Sequence, residues 1–387
     1  LFTDGEETGL LGARAFIAAD AYGIEVDRIF NLEARGVRGP ALMFETSRPN
    51  AAPVADWSAH VRRPAANSLM AEVYEQMPNS TDLTVFLSAG FSGLNIALVD
   101  GVEFYHSARD SLETLDARSV QHMGDQAWGA VRGWLEGAGR QVSGDVVYAD
   151  LLARALIVLP QPLALALLAG CAALALYTAL TRGRSEGRLD VRAAASAPLA
   201  LAGAGVVGAS LQLALNAVRG AHAYWSAYPL AMGALALAIA LAMLMLARVT
   251  LARRSSAEAV GAWGWFWTLA IGFGSSLVLP GVAILFLMPG LAWALAVLAA
   301  LRRPAWALWG QALAGLVLIA LFFPLAYLLE LTLGYGAAAI FAVILVLTLA
   351  PLLGLAGPAP PRGGTLIAAA GGVALAWTGA LLVPAHS

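Results

Sequence analysis

From Leu151 to the C-terminus the chain consists of apolar stretches separated by short loops that carry arginine. A helix that crosses ~30 Å of hydrocarbon needs about 20 apolar residues. Runs of that length are Ala155–Leu180, Ala193–Ala217, Tyr228–Ala247, Ala305–Pro324, Leu331–Leu353 and Thr365–Pro384. Val260–Leu301 holds 42 residues without a charge, which at ~1.5 Å per residue is about two bilayer thicknesses. It reads as two spans that turn near Ser275–Gly281, which makes eight spans in all.

Charge placement tests this count. Only 12% of the 387 residues are charged, about half of what soluble domains carry. Residues 1–150 hold 21 Asp+Glu against 11 Arg, and residues 151–387 hold 4 against 12. Cytoplasmic loops gather basic residues. With the first span running inward, the inner loops take Arg182, Arg184, Arg188, Arg192, Arg248, Arg253, Arg254, Arg302, Arg303 and Arg362, and the outer side takes Arg154 and Arg219. Residues 1–150 and the C-terminus are therefore expected on the non-cytoplasmic side of a multi-pass protein. All 23 basic residues are Arg, a GC-rich bias that points to a bacterial cell membrane. The single Cys171 excludes an intramolecular disulfide and a Cys-based metal site. Gln212, Asn216 and Gln311 are polar but neutral and suit helix packing, so anchoring is the expected work of the bundle.

The acidic first part alternates strand-like and helix-like runs, the pattern of an α/β layer fold. Strands are expected at Arg28–Leu32, Ala41–Phe44, Leu83–Leu87 and Ile96–Val99, and helices at Gly9–Ala21, Ser68–Met77 and Ser119–Gly137. Chemistry-bearing residues gather at expected strand ends, where α/β sheets bind ligands. They are Glu6 and Glu7 in Asp4-Gly5-Glu6-Glu7-Thr8-Gly9, Glu33 at the close of an apolar strand, and Tyr105-His106-Ser107 with Asp110 in a loop. Taken singly, each has a plain structural reading: a helix-dipole pair, a surface salt bridge, a surface histidine.

In order, DGEETGLLGARAF, NLEARGVRGPALMFET, PNSTDLTVF and SGLNIALVDGVEFYHSARDSLETLD resemble the co-catalytic zinc aminopeptidases of clan MH, metallopeptidase family twenty-eight. Within it they are most similar to the membrane group of endoplasmic-reticulum metallopeptidases and vacuolar membrane proteases. The resemblance runs from Leu1 to about Trp134. It implies a partial α/β three-layer sandwich of zinc-exopeptidase type in residues 1–150, followed by an all-α multi-span transmembrane domain in residues 151–387. By position, Glu6 resembles the general base, Glu7 a ligand to one zinc, His106 the imidazole sharing that metal, and Glu33 a carboxylate ligand to the other zinc. Ser107 and Asp110 then stand where they orient His106, and Tyr105 where it shapes the pocket. A complete site of this family holds two Zn²⁺, and two further ligands, a His and a bridging Asp, are expected upstream of residue 1. The chain, which opens on Leu1, reads as a fragment lacking the N-terminal part and is expected to bind zinc poorly and to be inactive on its own, whereas the full-length protein is active.

The resulting expectation is a membrane-anchored zinc-dependent exopeptidase, an aminopeptidase, with peptide substrates, a lipid bilayer around it and no nucleic-acid partner. The sequence gives no reading of oligomeric state. Two alternatives remain open at this stage: a catalytically inactive receptor-like or binding relative of the same fold, and a transporter with a peptide-handling ectodomain.

Overall fold

The computed structural model describes residues 1–19, 26–137, 142–220, 229–333 and 338–382. The described residues fall into two units, Leu1–Ala164 with Val278–Ile284, and Leu165–Leu277 with Leu285–Ser387.

The first unit is built on a three-stranded sheet formed by β1 (Ile29–Ala34), β2 (Arg38–Thr46) and β3 (Gly93–Asp100). β3 lies in the centre, parallel to β1 and antiparallel to β2. Its sequence GLNIALVD alternates, so residues two apart share a face. Leu94, Ile96 and Leu98 are buried with Ala41 and Met43 of β2 against α2 (Ala51–His60) and α5 (Ala117–Gly137), through Val54, Trp57 and Ala130. The α2–α5 crossing is close, because a Cβ on Gly133 would stand 1.8 Å from the carbonyl oxygen of Asp56. Trp57 is fully buried, and its indole N–H donates to Gln126 Oε1 at 2.9 Å. A smaller core joins Ala13 of α1 (Leu11–Ala18) to Leu83 and Phe86 of α4 (Asp82–Ser88), with Ile29 of β1 packed against it. Helices thus pack on both faces of the sheet, the three-layer α/β arrangement. α3 (Ser68–Glu75) follows α2, and β4 (Val146–Leu151) pairs antiparallel with β5 (Ala155–Pro160).

Two expectations need correction. Leu83–Leu87 is not a strand but the body of α4: Thr81 and Thr84 form a reciprocal capping box, and satisfying both backbone donors starts a helix where an apolar run alone suggests either element. The first apolar run does not enter a span at Ala155. Residues 155–160 are β5, hydrogen-bonded to β4, and the helix begins at Gln161, so a boundary at 150 cuts this hairpin. Asp20 and Ala21 of the expected first helix, Tyr228 at the start of one expected span and Pro384 at the end of another lie outside the described residues, as do residues 334–337 within the expected span Leu331–Leu353.

The second unit is helical. Among the described residues, seven helical segments are long and apolar enough to cross a membrane: Gln161–Arg182, Val191–Arg219, Leu230–Thr250, Pro280–Arg302, Trp306–Leu329, Ala338–Leu355 and Arg362–Leu382. The stretch Val260–Leu301 does divide into two helices, Ala257–Ser276 and Ala283–Arg302, but the first is not among those seven. Its glycines and tryptophans lower its hydropathy, and it is enclosed by its neighbours, with Trp265 stacked on Trp293 at 5.6 Å and Thr268 Oγ1 donating to Leu347 O at 2.9 Å. Small residues set the crossings. A Cβ on Gly208 would lie 2.7 Å from Ala339 Cα, and one on Gly261 would lie 2.7 Å from Gly354 Cα. Gln212 donates to Asn216 one turn further along the same helix, at 3.0 Å.

Candidate functional site

Glu6 and Glu7 sit in the tight turn that precedes α1. Gly5 and Gly9 take φ of 70° and 111°, a region costly for residues with a Cβ. Backbone N–H groups of Gly9 and Leu10 donate to Glu6 O at 3.1 and 2.9 Å, which fixes the turn. Tyr105-His106-Ser107 follows β3 through a short 3-10 turn, Val102–Phe104. His106 is itself held at φ 54°, unusual for a residue other than glycine, and its ring stacks on Tyr105 with centroids 3.8 Å apart. The two loops meet: His106 Nε2 lies 2.6 Å from Glu7 Oε1, although the residues are 99 apart in sequence. Both side chains are more than half exposed, at 57% and 64%.

Glu33 is carried by β1 on the same side of the sheet as Asn31 and Asn95, given the register Asn31↔Asn95 and Glu33↔Ala97. Asn31 Nδ2 donates to Asn95 Oδ1 at 3.1 Å and faces Glu33 Oε1 at 3.5 Å. Asn95 Nδ2 in turn donates to Glu45 Oε2 and to Thr81 Oγ1, both at 2.9 Å. Thr81 caps α4, whose first residue, Asp82, accepts a hydrogen bond from the hydroxyl of Thr3. This polar layer lies beside Glu33, which stands in crowded negative surroundings. Burial, then the charge of Glu6, push the Glu33 carboxyl up to about 7, with Asp82 adding to the rise. Glu6 is also raised, by burial first and then by Glu7 and Asp82, while His106 pulls the other way. Tyr105 is raised by burial and by Glu7.

Glu6 therefore senses Glu7, Asp82 and His106, and Glu33 senses Glu6 and Asp82, so the four expected residues occupy one neighbourhood. Ser107 and Asp110 are engaged with their own loop: the Ser107 hydroxyl donates to Phe104 O at 2.6 Å, and the Asp110 N–H donates to Ser107 O at 3.0 Å. The sequence reading passed over Asp82, Asn31, Asn95, Thr81 and Glu45. The available signal was Thr81-Asp82-Leu83-Thr84, a helix start with an acid in its first turn, hidden by reading Leu83–Leu87 as a strand.

Carboxylates with an imidazole are the donor set that zinc takes alongside cysteine. The pile-up of negative charge on Glu6, Glu33 and Asp82 is the surrounding that a divalent cation relieves. The residues present fit zinc in their chemistry and in the Glu7–His106 contact. Among the described residues, no three His, Cys, Asp or Glu side chains converge closely enough to hold one ion.

Residues 1–131 match the sequence profile of peptidase family M28. The relatives sharpen this. The "vacuolar membrane protease" of Clavispora lusitaniae is 32% identical over 124 residues, which is 32% of this chain and 12% of that protein. The human "endoplasmic reticulum metallopeptidase 1" is 26% identical over 169 residues, 42% of this chain and 19% of that protein. The chain thus spans less than a fifth of the length of these relatives, at 12% and 19%. No solved structure matches it. The seven candidate spans among the described residues make this a multi-pass membrane chain, and its residues 1–131 are similar to a peptidase family.

Proposed function

We propose that this chain belongs to a membrane-anchored, zinc-dependent exopeptidase of aminopeptidase type that acts on peptides on the non-cytoplasmic side. The observation that carries the reading is the 2.6 Å approach of Glu7 Oε1 to His106 Nε2, beside Glu6 and Glu33. In this reading Glu7 and His106 hold one zinc ion and Glu33 holds a second. Zinc bound there supplies polarisation of a scissile carbonyl and acidification of water.

The side chains divide the rest of the work. Glu6 does not share the Glu7–His106 contact and is the carboxylate free to take a proton from water and return it to the leaving amine. Its raised affinity for a proton, set by burial and by Glu7, suits a group that must both accept and release one. Asn31 and Asn95 fix the direction in which Glu33 points. Tyr105 supports the His106 ring from one face.

The test is Glu6→Gln in the full-length protein, assayed on peptides with free and with acetylated N-termini. The expected result is a fall in kcat of about 10²–10⁴-fold with zinc content unchanged, and no hydrolysis of acetylated peptides by the native enzyme. Native activity on acetylated peptides contradicts the aminopeptidase assignment. Unchanged activity in Glu6→Gln contradicts the base assignment, and absence of hydrolysis by the full-length native protein favours the receptor-like relative.

A further inference from the structure

The second unit gathers arginines that its own carboxylates do not neutralise. Arg248, at the end of helix 229–250, is 3% exposed. Its guanidinium donates to backbone carbonyls, those of Ala252 and of Gly357, the latter at 3.2 Å. Arg362 reaches the same turn from the start of another helix, donating from Nε to Val249 O at 3.0 Å. Two further arginines, Arg253 and Arg254, stand exposed in the loop between them, and the helix Ala257–Ser276 begins just beyond. Among the described residues, none of these four arginines forms an ion pair. The nearby carboxylate, Glu258, lies 3.9 Å from Arg182.

Part of this charge has a plain structural use. The carbonyl end of helix 229–250 carries partial negative charge that favours Arg248 and Arg362. That compensation does not reach Arg253 and Arg254, and the opening turn of helix 257–276 adds positive potential beside them. An independent feature marks the same loop as built to receive a group. Ser255 is 6% exposed and its hydroxyl has no hydrogen-bond partner among the described residues, although its backbone N–H is tied to Ala252 O at 3.1 Å, the carbonyl that also takes Arg248. A buried hydroxyl without a partner is costly, about 1–3 kcal/mol for such groups, and an incoming oxygen acceptor removes that cost.

We propose that the loop Leu251–Ser256, with Arg248 and Arg362 behind it, is a binding site for a phosphate group. Arg253 and Arg254 supply charge, and Ser255 donates its hydroxyl. Phosphate is favoured over a carboxylate because its several oxygens can meet two guanidinium groups and a hydroxyl together. Leu230–Thr250, a helix long and apolar enough to cross a bilayer, ends at this loop, so the headgroup of an anionic phospholipid is one source of such a phosphate, and free phosphate is the other. The site is independent of the peptidase reading.

The experiment uses the full-length protein in nanodiscs of phosphatidylcholine. Thermal unfolding and bound lipid, read by native mass spectrometry, are followed as phosphatidylglycerol is added, and in a separate arm as inorganic phosphate is added. The site predicts saturable stabilisation in one of the arms: phosphatidylglycerol alone identifies the headgroup, and inorganic phosphate alone identifies the free anion. With Arg253→Gln/Arg254→Gln the affinity falls about twenty-five-fold, at about fivefold per arginine. Ser255→Ala weakens it further without a change of charge. Arg253 and Arg254 are exposed loop positions, so loss of binding in the double variant is separable from loss of folding. Equal binding by the native protein and the double variant, or no stabilisation in either arm, overturns the proposal.

Discussion

The helices from Gln161 onward and the unit that precedes them are fixed by different kinds of information. Each span is specified locally, by a run of apolar residues and the arginines at its ends. The candidate site needs four segments that are remote in sequence, Asp4–Leu10, β1, the start of α4 and the loop after β3, to arrive together. One substitution therefore has small consequences on most lipid-facing positions and large ones wherever it disturbs the sheet, its covering helices or the meeting of those loops.

Breaking the N-terminal core gives the largest effect. Trp57 is fully enclosed between α2, α5 and the sheet, and its indole N–H is bonded to Gln126. Trp57→Ala is expected to destabilise the first unit by about 3–5 kcal/mol, measured by urea unfolding of the full-length protein. Gly133→Ala comes next. The added methyl meets the Asp56 carbonyl oxygen at 1.8 Å, so α5 must move off α2, at a cost of about 1–3 kcal/mol.

In the bundle the comparable changes are milder. Thr268→Val removes the hydroxyl that bonds Leu347 O, and about 0.6 kcal/mol is expected from thermal unfolding in detergent. Leu213→Val, at a side chain 69% exposed to the surroundings of the helix, is expected to fall within about 0.5 kcal/mol of the native protein. A bundle substitution as damaging as Trp57→Ala at such an exposed position would end the comparison.

The same contrast explains what could be read before the structure was known. Apolar length located seven of the eight expected spans, the first half of Val260–Leu301 being the exception among the described residues. It misplaced the first one by including Ala155–Pro160, because ALIVLP is as apolar as the helix that follows; what separates them is pairing with Val146–Leu151, a contact that composition does not carry. The breaker Pro160-Gln161-Pro162 was the available signal. In the N-terminal unit, Arg28–Leu32, Ala41–Phe44 and Ile96–Val99 all fall within or overlap observed strands. Leu83–Leu87 failed because a short apolar run suits both elements and only its cap decides. Glu6, Glu7, Glu33 and His106 were legible as motif positions. Asn95, Glu45 and Asp82 were not, since their relevance comes from lying beside Glu33 and Glu6 across strands and a helix start.

The central claim is that Glu7 and His106 act together on one metal ion. Zinc content per chain, measured by elemental analysis of the full-length protein, of Glu7→Ala, of His106→Ala and of the double variant, tests it most directly. The account predicts that each single variant loses the same ion and that the double variant loses no more than either, because residues that share a ligand act as one unit. Full zinc content in both single variants, or losses that add in the double variant, would contradict it.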